Sequence, residues 1–495
     1  MADARRIAII GAGASGITAA IQLKQKLGIQ AQIFELRSDF GGTWFANTYP
    51  GCACDVPSHL YSLSFEINPN WTKRYSSQEE IRQYFRNVAH KHRLEEQTMF
   101  NTEVVSATWL DAERKWKLDW RRGGPDASVQ TTFFDIVFAG LGPLRIPRTT
   151  EQFKDFEGTL VHTANWDPTI DFTGKRVGLV GSGATAVQVI PELQKVAGSL
   201  HNYIRTPAWV LERKQYRYSR MMKFIFTYVP LVARLYRLYL YIMMEFFYVN
   251  FGYNNSFFSR LFKRGVIKSM EGRLKKSGRP DLVDKVVPKY PIGCKRITPS
   301  EMYLEALCKP NVTVDRSSIK EVRGRTVVTE DGNEHEFDIL VLATGYDVQG
   351  FIGNLDIRGK NKRSLSEEWK DKFPDNYNSL TVNGYPNFFM LLGPTAILGH
   401  NSVLIMMEIQ VDYAIKCIQY MNKKKVAAIE PTKEAQEEFL KKLKKDLDTT
   451  VWAQSCHSWY QNSKGEVTSV WSSTVTTFWR LMRRVNTSHY HITRA

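Results

Sequence analysis

Short apolar runs that end in glycine recur along the chain. "IAIIGAGASG" opens the series at Ile7–Ile10, and "VGLVGSGATA" repeats it at Val177–Ala186. "DIVFAG" (Asp135–Gly140) and "DILVLATGY" (Asp338–Tyr346) add two more. Continuous apolar runs of this length predict strands covered on both faces, hence parallel sheets flanked by helices. After the first run comes an amphipathic stretch of helical period, then a second strand, "AQIFEL", ending near Glu35. The same strand–turn–helix–strand order follows Val177, closing with "LHNYIRTP". Two such units predict an α/β fold with two Rossmann-like nucleotide-binding domains. Residues 216–290 break the pattern; they read as mostly helical and interrupt the second unit. Near 431–448, "PTKEAQEEFLKKLKKDLD" predicts a surface helix with Phe439, Leu440, Leu443 and Leu447 turned inward.

Charge singles out the interruption. The 495-residue chain carries a net charge of +17. Between Arg213 and Lys276 there are fourteen Lys/Arg against two acids, Glu245 and Glu271. The same segment holds "MMKFIFTYVPLVARLYRLYLYIMMEFFYVNF", whose apolar runs are broken by Lys223, Pro230, Arg234, Arg237 and Glu245. None reaches the ~18–20 residues that a spanning helix needs. Two readings follow for residues 213–276: a helical cap over a pocket, or a basic, aromatic face lying on an anionic membrane. No nucleic-acid motif accompanies the charge, so nucleic acid is not expected as a partner. Six cysteines are too few for a disulfide scaffold, and no leader is read ahead of the first strand; a cytosolic, reducing setting is the expectation. Cys52 and Cys54 fit neither a redox pair nor a zinc pair, and no metal is assigned.

The turns after the two leading strands differ in a telling way. The first is Gly11-x-Gly13-x-x-Gly16, with Glu35 about 20 residues on. Glycines there allow a tight turn and close approach of a pyrophosphate to a helix N-terminus, while the acid suits a ribose hydroxyl. That describes the adenosine half of FAD. The second is Gly181-x-Gly183-x-x-Ala186, and where the first unit had its acid this one has Arg205 and Thr206. A cation there favours a ribose 2′-phosphate, so NADPH is expected. Two different dinucleotides on one chain imply electron transfer from nicotinamide to flavin. The expected division is 1–155 with 375–495 for FAD, 156–172 as linker, 173–215 with 291–374 for NADP, and 216–290 as insertion.

Beyond the first unit the loop reads "GGTWFANTYPGCACDVPSHLYS". Trp44 stands where a disulfide reductase would show its first redox cysteine, which points to oxygen chemistry. At this loop the chain resembles flavin-dependent Baeyer–Villiger monooxygenases, through Gly41, Gly42, Trp44, Asn47, Tyr49, Pro50, Gly51 and Asp55. It also carries their F-x-G-x-x-x-H-x-x-x-W fingerprint as Phe156, Gly158, His162 and Trp166. "CKRITPSEMYLEALCKPNVTV", "ATGYD", "GPTAILGHNS" and "SCHSWY" extend the likeness over residues 5 to 470. The fingerprint ends in Trp-Asp rather than Trp-Pro, and Gly142 replaces the usual Ser or Thr.

The resemblance implies that NADPH reduces FAD, that reduced flavin and O2 form a C4a-peroxyflavin, and that this attacks a ketone to give an ester or lactone. It makes Arg296 the catalytic cation and Asp55 its carboxylate partner. Thr43, Trp44, Ala53, Cys54, Asp55 and Tyr61 join Gly11, Gly13, Gly16 and Glu35 around FAD. Ser182, Gly183, Ala184, Thr185, Ala186 and Gln188 wrap the NADP pyrophosphate, with Lys295 beside Arg205 and Thr206 at the 2′-phosphate. Trp459 belongs to a loop over NADP and substrate, and His400 and Asn401 approach the flavin ring. His162 and Trp166 act mechanically, on the relative rotation of the domains. The apolar 221–251 stretch points to a large lipophilic ketone, such as a steroid or polyketide. The alternatives are an N- or S-oxygenating flavin monooxygenase and an NADPH oxidase that oxygenates nothing.

Overall fold

The run Ile7–Ile10 is buried at every position, as a strand covered on both faces must be. It is the middle strand of a five-stranded parallel sheet, ordered Phe388–Met390, Ile136–Ala139, Ile7–Ile10, Gln32–Phe34, Thr98–Met99. A second parallel sheet is ordered Val312–Asp315, Ser199–Tyr203, Arg176–Val180, Ile339–Leu342, Thr159–His162. In each sheet the strand that precedes the glycine turn lies in the middle, and its helix (Ala14–Leu27 or Ala184–Leu193) follows directly. The computed structural model describes residues 5–148, 151–253, 256–454 and 456–494. The first four residues, read above for a leader, and Ser455 of the "SCHSWY" stretch lie outside them.

Two boundaries differ from the expectation. The fingerprint stretch is not a free linker: Thr159–His162 forms the edge strand of the second sheet, paired with Ile339–Leu342. Its first two residues are exposed and its last two buried, as suits a strand with one open edge. The chain also returns to the first half before 375. Asp356–Arg358 pairs with Ser106–Thr108 and completes a four-stranded sheet with Lys115–Arg122 and Gln130–Phe134.

The insertion holds three main helices, Arg220–Tyr228, Pro230–Val249 and Phe257–Lys276. Ser219 and Ser256 cap the first and third by accepting from Met222 and Ser259. Pro230 opens the second, where a missing N–H costs nothing. No helix among the described residues is long and apolar enough to cross a membrane. Arg237, one of the charges that break the apolar runs of the basic segment, is turned inward. It donates to the carbonyls of His59 (2.9 Å) and Leu60 (3.0 Å) and to the Ser62 hydroxyl (3.0 Å). In the Lys433–Asp448 helix Leu440, Leu443 and Leu447 are buried and Phe439 half-buried.

Six cysteines are too few for a disulfide scaffold and a reducing setting is the expectation, yet Cys294 and Cys456 form a single disulfide, their Cα atoms 6.4 Å apart. They are 162 positions apart in the chain, so no local spacing announces the bond. Cys52 and Cys54 are free and buried; burial pushes both thiols up, Cys52 to about 12. Neither thiol ionises near neutrality, in keeping with small residues packed in a tight loop.

Candidate active site between the two glycine turns

Gly11 takes φ +100°, and a β-carbon on it would press on the Gly140 carbonyl at 2.6 Å. A β-carbon on Gly16 would overlap the Gly11 carbonyl. Only glycine fits either point. Gly13 opens its helix without a side-chain cap, so the first helical N–H groups have no such partner. Glu35 is buried; it accepts from the Ala12 N–H (2.6 Å) and the Arg37 N–H (2.8 Å). Burial raises its pKa, and those two bonds offset part of the rise. Its carboxylate thus braces the turn, and an acceptor with about four lone-pair sites keeps capacity for a ribose hydroxyl.

The second turn repeats the device with less cover. Gly181 takes φ +133°, pinned against the Ala343 carbonyl. Gly183 and Ala184 are exposed, and nothing lies within 4 Å of a β-carbon built on Gly183. Thr185 is half-buried and Ala186 buried. The Ser182 hydroxyl donates to the Thr206 carbonyl, fixing the turn against the next strand's end. Arg205 is exposed beside Lys295. The Lys295 ammonium stands 5.5 Å over the Tyr290 ring, and its pKa is lowered by burial and then by the Arg205 charge. Two cations that disfavour each other are an arrangement a dianion relieves. Glycine at each close approach, an uncapped helix start and, at the second turn, paired cations fit two dinucleotides, one of them phosphorylated.

Between the turns runs the loop from Gly41 to Tyr61. Gly42 lies against Gly13: a β-carbon on it would come 2.8 Å from the Gly13 Cα. Thr43 starts a short helix, Thr43–Ala46. Trp44 Nε1 donates to the Tyr61 hydroxyl at 3.0 Å, and burial raises the Tyr61 pKa. Further on, the loop is fastened to the second half. Tyr49 donates to Gln188 Oε1 (2.8 Å), and Gln188 Nε2 donates to the Ala53 carbonyl (2.8 Å). A β-carbon on Gly51 would collide with the Gln188 carbonyl. Cys54, buried next to Ala53, accepts from the Val56 N–H.

Arg296 and Asp55, 241 positions apart, meet here. Arg296 Nε lies 2.8 Å and Nη2 2.7 Å from Asp55 Oδ2, while Nη1 donates to the Leu398 carbonyl at 3.1 Å. Burial works against the guanidinium charge, but Asp55 and then Tyr460 outweigh it, and the pKa is raised. The side chains stay 23% and 24% exposed, so a reactant can reach them. Five N–H donors less these three contacts leave some unspent.

Sequence reasoning pointed to Trp459, whose half-buried ring packs 4.2 Å from Tyr460 and whose carbonyl accepts from Gln349. It missed Tyr460, the phenol that senses the Arg296 charge, although "SWY" held the signal. His400 and Asn401 are engaged by Glu245 of the insertion, at 3.4 Å and 2.9 Å. Burial would raise the Glu245 pKa; hydrogen bonds from His400, the Thr476 N–H and Asn401 hold it down to about 2. His400 Nδ1 is buried without a partner among the described residues. His162 stands apart from this cluster. It accepts from the Ala164 N–H and bonds Thr344 (3.1 Å), which donates to the Arg148 carbonyl. Trp166 stacks on Phe172 with ring centres 5.2 Å apart.

Residues 9–77 match the family of NAD(P)-binding Rossmann-like domains. A Baeyer–Villiger monooxygenase of Pseudomonas aeruginosa is 36% identical over 492 residues, 99% of this chain and 91% of that protein. The chain belongs to the Baeyer–Villiger monooxygenases. Among solved structures, a closed form of cyclohexanone monooxygenase matches with a TM-score of 0.87 at 25% identity, over 100% of both chains. OTEMO in complex with FAD and NADP matches with a TM-score of 0.86 at 25% identity, again over 100% of both. As a Baeyer–Villiger monooxygenase the chain has its two glycine turns linked by one loop, and that loop carries Asp55 to Arg296.

Proposed function

We propose that the chain holds FAD at the Gly11–Gly16 turn and NADPH at the Gly181–Ala186 turn, and oxidises a bulky hydrophobic ketone to an ester or lactone with one oxygen of O2. The observation that carries this reading is the Arg296–Asp55 pair, built from distant segments beside both turns and still open to a reactant. Bound FAD, reduced by NADPH, supplies the activated oxygen. The protein's part is electrostatic. As oxygen adds to a ketone, negative charge builds on the former carbonyl oxygen. Arg296 has N–H donors to spare for it and is always charged, and Asp55 further favours that charge against burial. Asp55 also fixes the guanidinium plane by taking two nitrogens on one oxygen. Glu35 and Arg205 assign the two dinucleotides to their turns, and Lys295 and Thr206 complete the phosphate end. The lipophilic character of the substrate rests on the apolar, aromatic composition of residues 221–251.

Arg296→Ala tests it. NADPH should still bleach the flavin absorbance, while ester formation falls by about a hundredfold or more, the usual loss of an oxyanion donor. Ester produced at the native rate overturns the assignment. Products from a ketone panel under oxygen-18 identify the substrate; amine or sulfide oxidation alone would favour N- or S-oxygenation.

A further inference from the structure

We infer that the outer side of the insertion is a docking face for an anionic lipid bilayer. The helix Pro230–Val249 is apolar on both sides, a pattern that belongs to buried helices. Its inner side is accounted for: Ala233, Leu240 and Tyr248 are buried, and Tyr241 and Glu245 bond to the helix Val475–Leu481. Its outer side is not. Leu231, Leu235, Leu238, Ile242, Phe246 and Val249 recur every three or four positions and are 38–68% exposed. On the two flanking helices Phe224, Tyr228, Phe257 and Leu261 are exposed as well. Monomeric soluble proteins seldom leave so long an apolar face bare.

The charges around the stripe choose its partner. Arg220, Arg234, Arg260 and Arg264 are exposed. From Arg213 to Met270 the only acid is Glu245, and it is spent on His400, Asn401 and Thr476. On the helix Val475–Leu481, which the Tyr241–Thr476 bond (2.8 Å) ties to the insertion, Trp479 is exposed, with Arg480, Arg483 and Arg484 around it. An apolar stripe fringed by cations, with aromatic rings at the margin, matches a bilayer whose headgroups are anionic. A second copy would bring the same cations and no acid to meet them. The stripe cannot span the bilayer, because its other side is anchored on the protein and no helix among the described residues is long and apolar enough. The chain therefore lies on the surface. The docking does not depend on the oxygenation proposed above.

Co-sedimentation of the full-length flavoprotein with vesicles tests the docking without any turnover. The native protein should pellet with phosphatidylcholine–phosphatidylserine vesicles, and several-fold less with phosphatidylcholine alone or in high salt. Arg234→Gln should weaken binding about fivefold, the worth of one cation near an anionic surface. The double variant Leu235→Glu, Leu238→Glu should lower the bound fraction at least tenfold, with melting and NADPH-driven flavin reduction unchanged. Native protein that stays in solution with both vesicles overturns the inference. So does a double variant that still pellets as well as the native chain. A lipid-free dimer dissolved by the same double variant would reassign the face to a second copy.

Discussion

The two glycine turns share one plan and differ in cover. At the first, Ala12, Ser15, Gly16 and Glu35 are buried, and Gly42 closes over Gly13. At the second, Gly183, Ala184 and Arg205 are exposed and only Ala186 is sealed. A ligand packed under a second layer of backbone leaves only when that layer moves. A ligand on an open turn leaves when its own contacts break. On the proposed reading, this difference in cover predicts that the first turn keeps its dinucleotide through many cycles and the second exchanges one in each cycle. On the same reading, the opposite charges of Glu35 and Arg205 favour a different dinucleotide at each turn.

The sharpest way to break this contrast is a methyl group at each turn. Gly16→Ala puts a β-carbon into the Gly11 carbonyl. Overpacking of this kind costs about 3 kcal/mol, so the purified protein should lack flavin absorbance. Gly183→Ala meets open space. It should keep its flavin and shift the unfolding free energy by less than about 1 kcal/mol.

Next in size is exchange of the charge at the second turn. Arg205→Glu should weaken NADPH binding roughly tenfold to a hundredfold, the worth of a charge-assisted hydrogen bond, and leave flavin retention alone. Titration of NADPH into both proteins measures this. Lys295 adds a pH dependence. Burial and the Arg205 charge both lower its pKa, so its charge is present at low pH and lost as pH rises. NADPH affinity should then begin to fall below the ordinary lysine range near ~10.4. Lys295→Arg should push that fall to higher pH.

The smallest effect belongs to the edge strand. His162→Ala removes its bonds to Thr344 and Ala164. It should slow flavin reduction and oxygenation by about fivefold each, for about 1 kcal/mol of lost hydrogen bonding. Burial lowers the His162 pKa. Its folded value thus lies below the unfolded ~6.5. The stability it contributes is present above ~6.5 and lost as pH falls through the lower folded value. Melting curves of His162→Asn against the native chain should diverge least on the acid side, where the native histidine becomes charged.

What the sequence revealed, and what it hid, follows the distance over which each signal acts. Strand, glycine turn, helix and following charge sit within the single stretches Ile7–Glu35 and Arg176–Arg205, so both units were readable in the chain. Arg296 and Asp55 could be paired only because two motifs of one family carried them. The edge strand Thr159–His162 was read as linker because its partner, Ile339–Leu342, comes some 180 positions later. The return of Asp356–Arg358 to the first half, and the Cys294–Cys456 bond, were hidden for the same reason. In the insertion, composition revealed a basic apolar segment but not which side each residue faces. Arg237 and Arg234 look alike in the chain; one braces three oxygen atoms inside, the other is exposed.

The clasp of Tyr49, Gly51 and Ala53 on Gln188 has a consequence for movement. Gln188 lies on the helix that starts at the second turn, while Asp55 follows just after the clasped loop. If the second sheet swings relative to the first, this loop is geared to it and travels along. Arg296, carried on the second half, and Asp55, drawn by the clasp, then stay meshed through the swing. The bending that such a swing requires would then fall elsewhere, and the segment that leads from Gly140 to Arg148, latched at its end by Thr344, is one connection open to it.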